Sequence, residues 1–179
     1  ILEAFITSTF LVAIAEIGDK TQLLSFVLAA RYPKKVIAII SGIFVATLLN
    51  HFIAASFGNW LASLVSPDIL HWILAASFFA FAVWALIPDK IDAVDTRISH
   101  TGVFMTTTLL FFMAEMGDKT QLATVALAAQ YKNLLAVVMG TTLGMMIANV
   151  PAVLLGEALV KKLPLHIMRY IASALFALV

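Results

Sequence analysis

The heptapeptide Glu16-Ile17-Gly18-Asp19-Lys20-Thr21-Gln22 returns as Glu115-Met116-Gly117-Asp118-Lys119-Thr120-Gln121. Both copies interrupt long apolar stretches that carry almost no other charge. Ionisable side chains in hydrocarbon are costly, and they mark an ion path, a proton relay or a structural pair. Two carboxylates per copy, present twice, point to a cation.

The surroundings of the two copies set the fold class. Apolar residues make up 63% of the chain and charged residues 12%, far from the balance of a soluble domain. The apolar runs reach the roughly 20 residues that a helix needs to cross a bilayer. The chain therefore reads as an all-α, polytopic membrane protein whose surroundings are a lipid bilayer. A formal net charge of +1 gives no reason to expect nucleic acid. The chain has no cysteine, so disulfides and thiolate metal sites are excluded. No nucleophile or histidine-rich metal motif accompanies the acids, so an enzyme is not expected, and neither is a resident cofactor. The numbering opens on Ile1, which suggests that residues precede it. The first apolar stretch is too long, too charged at mid-span and too poor in early basic residues for a signal peptide.

Apolar runs and their breakers predict six spans, at about 4–30, 36–57, 69–87, 102–129, 134–158 and 166–179. The last is short, as if it continued past Val179 or were cut there. Arg31, Lys34, Lys35, Lys90, Arg97, Lys161 and Lys162 fall in the first, third and fifth connections, and only Lys132 falls in an even one. Basic residues favour the cytoplasmic side. This places both ends of the chain outside and the central connection inside. Asp89, Asp92 and Asp95 in that connection count little under the same rule.

The repeat is wider than its motif. Glu16 and Glu115 are separated by 99 residues, as are Tyr32 and Tyr131. In the second span of each half the separation is 98: Gly42, Ala46, Asn50, Ala54 and Gly58 match Gly140, Gly144, Ala148, Ala152 and Gly156. In the third it is 97, as for Pro67 and Pro164 or Phe79 and Phe176. The pattern is an internal duplication of a three-helix unit, organised as residues 1–88, a connector at 89–101 and residues 102–179. Three spans is an odd number, so the second unit enters the membrane from the opposite side. Such inverted repeats are typical of secondary transporters, with the site near the midplane where the halves meet.

The recurrence of small residues at every fourth position lines one face of the second and fifth spans, as close helix packing requires. Asn50 lies on that face, while Asn149 is displaced by one position; either can lend an amide or bond between helices. Pro151 removes one backbone donor and loosens the fifth span.

In a continuous helix Glu16 and Asp19 lie on one face about 60° apart, with Lys20 and Gln22 flanking it. Gly18 and Gly117 allow either a close helix contact or a local opening that frees carbonyl oxygens. If the halves meet about an axis in the membrane plane, Glu16, Asp19, Glu115 and Asp118 converge. Lys20 and Lys119 offset two of the four charges, and a divalent cation or two protons would neutralise the rest. Crowded carboxylates hold a proton more readily, so the cycle could exchange metal for protons. The donors are oxygens, with Thr21, Thr120, Gln22 and Gln121 in support, which suits calcium, magnesium or manganese better than copper or zinc. Met113 and Met116 lie beside one copy only and read as packing.

A structural role is the competing reading: Glu16 to Lys20 has the spacing of an intrahelical ion pair, and the motifs would then only pin helices together. Excess buried negative charge is expensive if nothing binds it, and this favours the cation. A passive divalent-cation channel is a further alternative. His51, His71, His100 and His166 lie near predicted span ends without ligand-like spacing and read as interfacial. Trp60, Trp72 and Trp84 read as interface anchors or packing, and Glu157 as a headgroup-level residue.

The twin Glu-x-Gly-Asp-Lys-Thr motif, one per three-helix half, resembles that of the calcium/manganese:proton antiporter family, which includes bacterial manganese exporters and Golgi and thylakoid manganese/calcium transporters. The resemblance covers nearly the whole chain. It implies exchange of Mn2+ or Ca2+ for H+ by two inverted halves, through a site containing Glu16, Asp19, Glu115 and Asp118. Lys20, Thr21, Lys119 and Thr120 complete the matched motifs. The compact central connection and lack of a targeting segment resemble the bacterial members, which implies manganese export across the inner membrane.

Overall fold

The computed structural model describes residues 1–87, 102–155 and 165–179. The connector at 89–101, Gly156, Glu157, Lys161, Lys162, Pro164 and His100, together with the side chain of His166, lie outside the described residues. Eight helices and no strand occur among the described residues: α1 Leu2–Glu16, α2 Lys20–Arg31, α3 Val36–Leu64, α4 Pro67–Ala85, α5 Gly102–Glu115, α6 Lys119–Tyr131, α7 Leu134–Leu155 and α8 Leu165–Leu178. Three of them, α3, α4 and α7, are long and apolar enough to cross a membrane, and α5 is a shorter apolar helix.

The predicted continuous spans 4–30 and 102–129 are each two helices, broken inside the motif. Gly18 and Gly117 have φ of 83° and 75°, a left-handed conformation that glycine adopts without a Cβ penalty. A Cβ at Gly117 would meet nothing within 4 Å, so the glycine is there for its conformation and not for a close contact. The predicted end of the second span near residue 57 is also corrected. α3 continues to Leu64 because Gly58 does not break it: Gly58 packs directly on the Val125 carbonyl of α6, and apolar residues follow it. At the end of α6, Lys132 takes a left-handed φ of 49°, and the Asn133 side chain then accepts the Ala136 N–H at 3.1 Å to start α7.

Small residues fix how the helices approach. A methyl added at Gly140 would lie 2.6 Å from the Phe5 carbonyl oxygen, and one at Gly144 would lie 2.5 Å from that of Thr9. One at Gly42 would lie 2.9 Å from the Phe104 carbonyl oxygen. The contacts climb in register. On α7, positions 140, 144, 148 and 149 meet Phe5, Thr9, Gln22 and Ser25 in turn. On α3, positions 42, 50 and 58 meet Thr107, then Phe112 and Gln121, then Val125. Thus α7 runs alongside α1–α2 in the same direction, and α3 alongside α5–α6. Helix pairs also correspond between halves: α1 packs on α7 as α5 packs on α3, and α2 on α7 as α6 on α3.

The third helices correspond less well. Phe79, aligned with Phe176, is 69% exposed, whereas Phe176 is fully buried against Phe81. The buried edge of α4 is Leu70, Leu74, Phe78, Phe81, Ala82 and Ala85, and Phe79 lies off it. Much of the outer surface is apolar, including Phe52, Phe57, Trp60, Trp72 and Leu143, as expected of a surface that meets lipid tails.

Candidate functional site

Each motif is built on a helix break. Glu16 and Glu115 end α1 and α5; Asp19 and Asp118 stand in extended conformation at the N-caps of α2 and α6. The Asp19 and Asp118 N–H groups bond back to the Glu16 and Glu115 carbonyls at 3.0 and 3.1 Å. An aspartate at this position usually caps its helix through its side chain, but neither carboxylate does so here. The glutamines instead reach back across the break to the backbone that precedes each cap. Gln22 Oε1 accepts the Gly18 N–H at 2.8 Å, and Gln121 Oε1 accepts the Gly117 N–H at 2.7 Å. The aspartates face the lysines of the opposite motif, at the N-terminal ends of α2 and α6, which favour negative charge.

Glu16, Asp19, Glu115 and Asp118 are all buried, at 0, 1, 0 and 3% exposure. One carboxylate oxygen each from Glu16, Asp19 and Asp118 lie within 4.8 Å of one another. Oxygens on opposite sides of a bound calcium stand about 4.6–5.2 Å apart, twice the metal–oxygen distance, so the cluster has the span of a coordination shell. The fourth sequence-predicted acid, Glu115, is outside that threesome. It remains an electrostatic neighbour of Glu16, Asp118, Asp19 and Lys20, and neither of its oxygens has a hydrogen-bond partner among the described residues.

The lysines pair across the halves. Lys20 Nζ is 3.4 Å from Asp118 Oδ1, and Lys119 Nζ is 3.1 Å from Asp19 Oδ1. The intrahelical Glu16–Lys20 pair is absent because the break at residues 17–19 destroys the helical spacing it needs. Both ion pairs go to aspartates. Glu16 is held instead by the Thr21 hydroxyl, which donates to Oε2 at 2.6 Å. Its Oε1 has no hydrogen-bond partner among the described residues. Thr120 donates to Asp118 Oδ2 at 3.4 Å and also lies against Glu16.

The supporting amides tie each break to the other half. Gln22 Nε2 donates to the Ala148 carbonyl at 3.0 Å, and Gln121 Nε2 donates to Asn50 Oδ1 at 3.1 Å. Ala148 is the repeat partner of Asn50, so the same bond is made to backbone on one side and to a side chain on the other. Asn50 Nδ2 in turn donates to the Phe112 carbonyl at 3.0 Å. Asn149 accepts from Ser25 Oγ at 2.8 Å and donates to the Met145 carbonyl at 3.1 Å. A narrow cleft reaches the Asp19–Lys119 pair between Gly18 on one wall and Ala85 of α4 and Ala172 of α8 on the other.

Sequence reasoning misplaced His51. It is wholly buried: α3 runs past Asn50 for a further 14 residues to Leu64, and His51 lies on the stretch of α3 that α6 covers from Asn50 to Gly58. Its position one residue after Asn50 on the packing stripe was the available signal. His71 is exposed, as an interfacial residue should be. Trp60 and Trp72 are exposed too.

Buried carboxylates at paired helix breaks, inside a bundle with an apolar exterior, mark a membrane protein that holds charge in its interior. Residues 4–93 and 103–179 match the family described as divalent cation/proton antiporter GDT1. The chain belongs to that family, which is one of transporters and not of enzymes. It is 54% identical over 168 residues, 93% of its length and 83% of the relative's, to a Vibrio cholerae protein named "Putative manganese exporter". GDT1-like protein 5 of Arabidopsis thaliana is 26% identical, over 98% of this chain and 92% of the relative. GDT1-like protein 4 of Oryza sativa subsp. indica is 27% identical, over 98% and 71%. No solved structure matches the chain.

Proposed function

We propose that this protein exports Mn2+ from the bacterial cytoplasm across the inner membrane in exchange for protons, with Ca2+ as a second possible cargo. Glu16, Asp19 and Asp118 supply the metal-facing oxygens, and Glu115 completes the buried charge. Lys20 and Lys119 hold the two aspartates in place between ions. The observation that carries the reading is the gathering of carboxylate oxygens from both motifs within 4.8 Å, while the two lysines are engaged by the aspartates. Glu16 and Glu115 then leave two negative charges for a divalent ion or two protons. The name of the Vibrio cholerae relative favours manganese.

Residues 1–88 and 102–179 act as inverted halves joined by a cytoplasmic connector at 89–101, with both chain ends outside. The parallel courses of α7 with α1–α2 and of α3 with α5–α6, with short turns joining α2 to α3 and α6 to α7, support that arrangement. The basic residues of the odd connections support the sidedness.

The test is flux in proteoliposomes holding the purified protein and loaded with Mn2+. An imposed proton gradient should drive the metal out, and the internal pH should move with it. Metal movement without any proton movement would instead identify a passive channel, and absence of metal movement would remove the transport assignment.

A further inference from the structure

We propose that His51 and Thr124 form a hydrogen bond between α3 and α6 when the transport site faces the side opposite to that of the present structure, in place of the Ser25–Asn149 bond seen here. The inference rests on the transporter reading of the duplicated site and names a pair of positioning residues for its cycle.

The duplication relates the two pairs. Ser25 and Thr124 are separated by 99 residues, the spacing of the first and fourth spans; His51 and Asn149 are separated by 98, the spacing of the second and fifth. Ser25 stands three residues after Gln22, which bonds Ala148, and Ser25 bonds the next residue, Asn149. Thr124 stands three residues after Gln121, which bonds Asn50, and the next residue is His51. The Asn50–Gln121 bond on one side and the Gly58–Val125 contact on the other bracket the stretch of the α3–α6 interface that carries His51 and Thr124.

One pair is made and the other is not. Ser25 Oγ lies 2.8 Å from Asn149 Oδ1 and 3.1 Å from the Thr21 carbonyl of its own helix, and its one O–H goes to the shorter contact between the halves. His51 is fully buried, yet neither ring nitrogen has a hydrogen-bond partner among the described residues. Thr124, also fully buried, donates to the Thr120 carbonyl within its own helix at 2.8 Å. Its oxygen retains lone pairs to accept an imidazole N–H without giving up that bond. A buried donor and acceptor left unmade are costly. A second state that makes the bond is free of that cost and is favoured by it, and in an inverted repeat the second state is the one in which the halves exchange conformations. The pair of states is then balanced by one inter-half bond each: Ser25–Asn149 here, Thr124–His51 there.

Because the chain has no cysteine, a single reporter can be placed in the cleft that reaches Asp19. Ala85→Cys in that cleft is labelled with a membrane-impermeant thiol reagent in reconstituted vesicles, and the rate is read without metal. Asn149→Ala should slow labelling at least threefold, since it removes the bond of the present state. His51→Ala should speed it at least threefold, and Thr124→Val, which keeps side-chain volume, should do the same. His51→Asn, copying the other half, should return the rate toward that of the parent. Shifts of His51→Ala and Asn149→Ala in the same direction, or no shift for both His51→Ala and Thr124→Val, would overturn the proposal. Mn2+ flux measured in parallel separates the two readings. Flux with unshifted labelling defeats only the alternative His51–Thr124 bond, and opposite shifts without flux defeat only the transport assignment.

Discussion

Lys20 and Lys119 hold the same place in their motifs, but not the same surroundings. The Lys119 side chain is 6% exposed against an Asp19 carboxylate at 0%, whereas the Lys20 side chain is 33% exposed. Removing one partner of a buried pair leaves an uncompensated charge and costs about 3–5 kcal/mol. Lys20→Ala also leaves a buried carboxylate, Asp118 at 3%, but water reaches that pair from the lysine side and discounts its loss. Lys119→Ala should therefore lower the thermal unfolding midpoint in detergent more than Lys20→Ala does, both measured without metal. Equal losses would show that the two pairs are equally shielded. The acids differ as well. Glu16 belongs to the oxygen threesome and Glu115 does not, so Glu16→Gln should weaken Mn2+ binding at least tenfold, about 1.4 kcal/mol, and more than Glu115→Gln. Calorimetric titration of the purified variants measures both. The burial of the four acids was legible in the sequence because they interrupt the apolar runs of a 63% apolar chain. Which lysine meets which aspartate was not legible, since it depends on how the two halves face each other. Nor was the burial of His51, which depends on α6 packing over that stretch of α3.

At the scale of the helix, the deciding feature is a left-handed glycine. Gly117 has φ of 75° and open space where a Cβ would stand. An L-residue there pays for the backbone conformation alone, about 1–2 kcal/mol. Gly117→Ala should cost that amount in stability and should also impair metal binding, because relaxation toward continuous helix turns Asp118 away from Glu16. Gly144 is the opposite case. A Cβ there would lie 2.5 Å from the Thr9 carbonyl oxygen and 2.9 Å from the Ala13 nitrogen. Both are backbone, so neither can step aside, and Gly144→Ala should lose about 1–3 kcal/mol as an overpacked contact. Thermal unfolding of the two variants, each beside its Mn2+ affinity, tells the roles apart. Gly117→Ala should lose affinity out of proportion to stability; Gly144→Ala should lose stability first. The sequence showed the small-residue stripe and allowed the helix to open at Gly18 and Gly117, but it could not choose between an unbroken helix of about 27 residues and two short ones. That choice is made by tertiary bonds: Gln22 to Ala148 and Gln121 to Asn50 anchor the second helix of each pair to the other half.

For the whole molecule, the count of charges at the centre predicts the electrical character of transport. Four carboxylates and two ammonium groups are buried or half-buried there. Their formal charges sum to −2, which a divalent ion or two protons return to zero. If the site crosses the membrane only when neutralised, because excess charge in a low-dielectric interior is expensive, each cycle moves one divalent ion against two protons and carries no net charge. The metal efflux rate in vesicles should then be unchanged when a potassium gradient with an ionophore clamps the membrane potential at different values. It should respond steeply to the proton gradient. One pH unit is worth about 1.36 kcal/mol per proton, so two protons sustain a metal gradient of about a hundredfold. A threefold change of rate under the clamp, or a limiting gradient near tenfold per pH unit, would mean that one carboxylate keeps its charge or its proton throughout the cycle. Glu115, outside the oxygen threesome and without a hydrogen-bond partner among the described residues, is the one to test first. In Glu115→Gln a gradient that falls from a hundredfold to tenfold per pH unit would identify it as the second proton carrier, and an unchanged gradient would place both protons on the three clustered acids.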